Sequence, residues 1–324
     1  MQSRRFGRTG LPVSELALGA LPFGWRVDEP SARAVLEAYG EAGGNFIQTV
    51  ACARPGDAGD HRSEEIVGRW LRTQPGRRER LVLATRLAFP RTSAGQSAVG
   101  IRHATEESLR RLGVSHLDLL VLDWSPAALP FDEVFRVLDE LMRAGKLRYV
   151  GAAGFPLWRL MEALGRSMRL GTCRFESLQA DFSLADRGSF EPEGFQLARE
   201  QRLALLAQSP LAGGFLTGLY GSPALDSVAR ARRLRERYGQ ERGSALLDAL
   251  QAVATETEAT CAQVALAWIL ARDAPVIPLL GVATPEQLRE AAGAVSLRLE
   301  PSQLARLDGV DPSRTETSAQ STCP

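Results

Sequence analysis

Leu117-Asp118-Leu119-Leu120-Val121-Leu122 is followed by a helical pattern from Phe131 to Ala144, a stop at Gly145, and then Tyr149-Val150-Gly151-Ala152-Ala153. An apolar run, an amphipathic helix and a second apolar run make a strand–helix–strand unit. The alternation extends in both directions. Further apolar runs stand at Leu16 to Gly19, Asn45 to Gln48, Leu81 to Thr85, Glu176 to Gln179, Leu203 to Ala207 and Val276 to Leu280. Eight near-continuous apolar runs are the pattern of parallel strands buried on both faces. Helical patterns lie between them: Ser31 to Ala42 with Ser31 as N-cap, Ser97 to Leu112 stopped by Gly113, Glu191 to Gln201, Thr260 to Ala271 and Thr284 to Ala292. The eightfold alternation predicts an α/β fold, a (β/α)8 TIM barrel. An open doubly wound sheet would want a glycine-rich phosphate loop after its first strand. Gly19-Ala20-Leu21-Pro22-Phe23-Gly24 is not one.

Ahead of the first barrel strand, alternating residues around Arg8-Thr9-Gly10 predict an N-terminal β-hairpin that plugs the barrel bottom. An extra helix is expected at the C-terminal end. Residues 212–242, rich in Gly and Arg, read as a long insertion after the seventh strand, of the kind that is a lid, a binding loop or disordered. One barrel domain over 1–311 and a disordered tail over 312–324 are the expected organisation.

Composition narrows the class. The chain has 324 residues, 44% hydrophobic and 24% charged, with net charge +1, so it has no basic footprint for nucleic acid. No apolar run reaches the length needed to cross a bilayer, and no apolar segment follows the N-terminal arginines as in a signal peptide. A cytoplasmic protein with no membrane partner is expected, and the oligomeric state is open. Cys52, Cys173, Cys261 and Cys323 form no metal-ligand spacing, so no metal is expected and the thiols read as inert. Cys52 falls in a site loop; as a nucleophile it would need a base, and His61 is the local candidate.

Several segments, in order, resemble the aldo-keto reductase family over almost the whole chain. They are Arg5-Phe6-Gly7-Arg8-Thr9-Gly10-Leu11-Pro12-Val13-Ser14, Gly44-Asn45-Phe46-Ile47, Ser63-Glu64-Glu65-Ile66-Val67-Gly68-Arg69 and Ser108-Leu109-Arg110-Arg111-Leu112-Gly113. Gly145-Lys146-Leu147-Arg148-Tyr149-Val150-Gly151, Ser209-Pro210-Leu211-Ala212-Gly213-Gly214 and Thr284-Pro285-Glu286-Gln287-Leu288 complete the set. The resemblance implies carbonyl reduction with NADPH, in which a tyrosine protonates the developing alkoxide, a lysine and an aspartate tune it, and a histidine orients the carbonyl.

This chain departs from all four. Gln48 stands for the aspartate, Ala53 for the tyrosine, Arg86 for the lysine and Asp123 for the histidine. No tyrosine occurs between Tyr39 and Tyr149, so no shift of alignment restores one. The nicotinamide-amide pair corresponds to Ala153-Gly154, the stacking aromatic to Gln208, the cation for the 2′-phosphate to Ala283, and a following asparagine to Ala291. Gln179, Ser209, Leu211, Gln287 and Glu290 remain as degenerate cofactor positions. The missing charge-assisted bonds are worth roughly 1.5–3 kcal/mol each, so NADPH binding is expected to be weak or absent.

Arg86 has two readings. Lys146 is the only lysine in the chain, so one reading of the arginine is compositional drift; yet a permanently charged arginine cannot behave as a tuned lysine. An Arg86–Asp123 ion pair would be either a charge-balancing bridge or an acid/base with its oxyanion partner. Barrel-strand C-terminal ends are where catalytic groups sit. The expected function is therefore non-reductive proton transfer (dehydration, isomerisation or cyclisation) on a small organic substrate of specialised metabolism. Asp123 would move the proton, Arg86 would hold an oxygen and Gln48 would bond the substrate. Trp124, Trp25, Phe23 and Cys52 are the candidate substrate contacts; for the aromatics, plain rim packing is the alternative. A divergent NADPH-dependent reductase and a non-catalytic ligand-binding protein are the other two readings.

Overall fold

The computed structural model describes residues 1–52, 62–88, 97–123, 130–218, 229–238, 241–274 and 276–310. β1 (Ser3–Arg5) and β2 (Pro12–Ser14) pair antiparallel as the expected hairpin. Then come β3 (Ala17–Gly19), β4 (Phe46–Cys52), β5 (Val82–Ala88), β6 (Leu117–Asp123), β7 (Leu147–Ala153), β8 (Phe175–Asp181), β9 (Ala204–Gln208) and β10 (Val276–Leu280). These eight form a closed barrel in chain order, with β10 returning to pair with β3. All neighbouring pairs run parallel.

The helices are α1 (Glu29–Glu41), α2 (Arg62–Leu71), α3 (Ala98–Leu112), α4 (Phe131–Arg143), α5 (Leu157–Leu170), α6 (Glu193–Gln201), α7 (Ala229–Tyr238), α8 (Glu241–Glu256), α9 (Cys261–Leu270), α10 (Pro285–Gly293) and α11 (Pro301–Asp308). Among the described residues no helix is long and apolar enough to cross a membrane. α3 opens at Ser97, whose hydroxyl accepts the Gly100 N–H at 3.1 Å, and closes on Gly113 at φ +67°. At α1 the cap is Asp28, not Ser31: its carboxylate accepts the Ser31 N–H at 2.9 Å. Pro30, which has no N–H to satisfy, suits the first turn and moves the helix start upstream. α5, α7 and α8 were absent from the expected helices. Exposed Trp158, Met161 and Met168 blur the apolar stripe of α5, whose buried residues are Leu160, Ala163, Leu164 and Ser167.

The stretch read as a long insertion carries structure. Residues 212–217 form a 3-10 segment and α7 follows. The Tyr238 ring stacks on Phe215 at 4.9 Å, and its hydroxyl donates to Asp186 at 2.5 Å, tying α7 to the connection after β8.

Two cores follow from the period-two pleat. Strand residues such as Ile47, Leu83, Leu120, Leu122, Leu178 and Leu205 face the helices. Phe46, Val82, Ala84, Leu119, Val121, Ala204, Leu206 and Ile277 fill the barrel interior. Phe6 and Val13 of the hairpin join this inner core, Phe6 meeting Phe46 edge-on at 5.6 Å. The hairpin is held from the barrel side as well, by the Tyr149 hydroxyl donating to the Thr9 carbonyl at 3.1 Å.

Phe6→Ala should therefore cost about 3–5 kcal/mol, the usual penalty for emptying a fully packed aromatic site. Urea unfolding checks this, and a loss under about 1 kcal/mol would mean that the hairpin does not plug the barrel.

Candidate functional site

The same pleat that sends Phe46, Ala84, Val121 and Leu206 inward sends inward the residues two steps further on. These are Gln48, Arg86, Asp123 and Gln208, and Gln179 meets them from β8. Arg86, Asp123, Gln179 and Gln208 stand toward the C-terminal ends of their strands, the end of this fold where loops gather, while Gln48 lies nearer the start of β4. A polar layer thus sits directly above an apolar one.

The layer is joined by hydrogen bonds across the barrel. Gln48 Nε2 donates to Gln179 Oε1 at 2.8 Å. Gln179 Nε2 donates to Gln208 Oε1 at 3.2 Å. The same oxygen accepts from Arg86 Nη1, and Arg86 Nε donates to Asp123 Oδ1 at 2.5 Å. The chain of contacts runs β4, β8, β9, β5, β6. Gln48 is only 2% exposed. One of its two amide N–H donors goes to Gln179, so Gln48 braces the layer from its buried side. Arg86 and Asp123 keep 22% and 18% side-chain exposure.

Burial lifts the Asp123 carboxyl above the ordinary aspartate range; the adjacent Arg86 charge and its hydrogen bond pull it back down, and burial wins. Its neighbour across β7 is Ala153, which adds no charge. Arg86 is positioned from outside the barrel too. The Thr49 and Thr85 hydroxyls bond each other at 2.9 Å, and Thr85 donates to fully buried Glu64 at 2.6 Å. Glu64 in turn accepts from Arg111 Nε at 2.6 Å. This ties β4 and β5 to α2 and α3 next to the Arg86 backbone.

The other candidates scatter. Phe23 is fully buried in the outer core and not on the rim, whereas Trp25 is 56% exposed. Cys52 ends β4, and its side chain lies outside the described residues, as do Ala53, His61 and Trp124. Among the described residues Cys173 and Cys261 are free, and burial pushes the Cys173 thiol up to about 12. No group of three or more His, Cys, Asp or Glu among the described residues is placed to hold a metal ion.

Gln179 belongs to the inner layer. Ser209 and Leu211 follow β9, with Ser209 exposed at φ +53°. Gln287 and Glu290 are exposed on α10. Gln287 Oε1 accepts the Ala283 N–H at 2.8 Å, serving its own helix entry. Gly154 has φ +65°, a backbone setting that glycine and asparagine tolerate, with no side chain to offer. Sequence reasoning read Gln208 only as a lost aromatic and missed its grip on Arg86. Its place two residues beyond inward-facing Leu206 was the available signal.

The aldo/keto reductase family model matches residues 15–312. The chain is 32% identical over 321 residues to an uncharacterized oxidoreductase, YrpG, of Bacillus subtilis, covering 96% of each. It is 29% identical over 341 residues to Protein tas of Escherichia coli, covering 96% of this chain and 97% of that one. It is 28% identical over 308 residues to a probable voltage-gated potassium channel subunit beta of Arabidopsis thaliana, covering 92% of each.

Arg86→Met removes the charge and the bond that pull Asp123 down, so the titration midpoint of Asp123 should move further up. Carboxyl carbon chemical shifts followed against pH report it. An unmoved or falling midpoint would show that the two groups are not coupled as described.

Proposed function

The chain belongs to the aldo/keto reductase family, and within that family we propose an enzyme that moves protons, not hydride, on a small organic substrate. The reaction class is dehydration, isomerisation or cyclisation. Asp123 gives and takes the proton, and Arg86 holds an anionic or carbonyl oxygen of the substrate. Gln208 and Asp123 fix the guanidinium between them, while Gln179 and Gln48 stiffen the amide side of the layer. One observation carries the reading: a partly exposed Arg86–Asp123 pair at the barrel mouth, with a carboxyl lifted by burial. A carboxyl raised by burial is suited to general acid–base work, and a cation beside it can stabilise an anionic oxygen.

The donor set argues against the family's nicotinamide cofactor. Ala153 and Gly154 offer no side-chain polar atom where the resemblance puts an amide clamp. The oxygen of Gln208, at the position of the stacking ring, is committed to Arg86 and Gln179. Ala283 offers no cation, and the Gln287 oxygen is committed to a backbone N–H.

A second reading is NADPH-dependent carbonyl reduction with Asp123 as proton donor. It is favoured by the oxidoreductase name of the Bacillus subtilis relative, which matches at 32% identity over nearly full length.

Calorimetry with NADPH separates the two. The proton-transfer reading expects no saturation up to about 1 mM, the equivalent of about −4 kcal/mol. It further expects Asp123→Asn to lower turnover of a responsive substrate by about 10²–10⁴-fold with no nicotinamide present. Tight NADPH binding together with NADPH-dependent carbonyl reduction would overturn it in favour of the second.

A further inference from the structure

Arg86 has spent only part of its donor set. Nε goes to Asp123 and Nη1 to Gln208, while Nη2 has no hydrogen-bond partner among the described residues. Gln208 is fixed through its oxygen, which accepts from both Arg86 and Gln179. Its amide nitrogen donates to none of the described residues, and pinning the oxygen pins the direction in which that nitrogen points. Asp123 uses Oδ1 on Arg86, and Oδ2 makes no hydrogen bond among the described residues. The outward side of the layer therefore presents N–H donors from a guanidinium and an amide beside one open carboxyl oxygen. A planar, two-oxygen anion matches guanidinium donors. On the same end of the barrel, the connection between β3 and α1 exposes Leu21 and Trp25, an apolar surface for an organic body.

We propose that this site takes its substrate by a carboxylate, seated on Arg86 Nη2 and Gln208 Nε2, and that its binding loads a proton onto Asp123. The proposal rests on the reading above that Arg86 and Asp123 face the substrate. The charge balance requires the second half. The empty pair is neutral overall; a carboxylate placed on Arg86 leaves one net negative charge in a half-buried layer. Among the described residues Arg86 from β5 is the charged group acting on Asp123, and Ala153 from β7 supplies none to compensate. With the guanidinium shared between two carboxylates, the one already disfavoured by burial takes the proton at Oδ2. No bond to carbon changes in this step: one solvent proton moves to Asp123. The bound substrate then meets its general acid already protonated.

Benzoate and benzamide, alike in shape and unlike in charge, are suitable probes for the full chain. Each is titrated calorimetrically in two buffers of different ionisation heat, which counts protons taken up. Benzoate should bind at least about tenfold more tightly than benzamide, with net uptake of up to one proton. Arg86→Met should bring the two probes to parity, and Gln208→Leu should weaken benzoate several-fold while circular dichroism stays unchanged. Asp123→Asn should keep benzoate binding and abolish the proton uptake. Parity of the probes in the unmodified protein, benzoate binding indifferent to Arg86→Met, or binding without proton uptake would each overturn the proposal. These readouts involve no turnover. Failure of the probes alongside an Asp123-dependent reaction removes only the carboxylate assignment, and success alongside NADPH-dependent reduction removes only the proton-transfer reading.

Discussion

A closed parallel barrel has no free edge, and its pleat turns alternate side chains inward. That constraint governs everything else in this molecule. Each strand must supply interior residues that fill a narrow space, and whichever residue follows at the next inward step becomes part of the mouth. Phe46, Ala84, Val121 and Leu206 are the filling; Gln48, Arg86, Asp123 and Gln208 are what comes next. The hairpin serves the same geometry from below, where Phe6 and Val13 close a space that the barrel strands leave open.

A polar layer on an apolar floor has to satisfy itself, because a buried donor or acceptor left unpaired costs more than a bond gains. Here the solution centres on Arg86. Its guanidinium joins Asp123 on one side to the run of three glutamine amides on the other. Removing any one member leaves another without its partner. The layer is thereby rigid on its inner side, through Gln48 and Gln179, and open on its outer side, through Arg86 and Asp123. A preorganised cation next to a carboxyl of raised proton affinity is what proton-transfer chemistry at a developing oxyanion asks for.

The strands were legible from sequence to within a few residues, because burial on both faces leaves near-continuous apolar runs. Helices were legible where the apolar stripe was clean and the ends capped, as at Ser97 and Gly113. They were lost where exposed Trp158, Met161 and Met168 hid the period of α5. Arg86 and Asp123 could be singled out because the family resemblance implies a lysine and a histidine at those strand ends. Their mutual contact was an expectation from charge alone, and the two side chains do meet. The amide chain could not be read in advance. Gln48 and Gln179 are 131 residues apart, and Arg86 and Gln208 are 122 apart, so only barrel closure brings them together. Phe23 was misplaced for a related reason: proximity to a mouth loop does not say which way a ring turns, and this one packs inward.

Solvent exchange at carbon tests the central claim most directly. Phenylpyruvate, whose carboxylate loads Asp123 and whose enol form can then take a deuteron at carbon from that carboxyl, is incubated with the protein in deuterium oxide with no nicotinamide added. Its benzylic hydrogens are followed by proton NMR. The account predicts deuterium wash-in well above the protein-free rate, lost in Asp123→Asn. Exchange no faster than without protein, together with transfer of deuterium from 4-deuterated NADPH into phenyllactate, would contradict it.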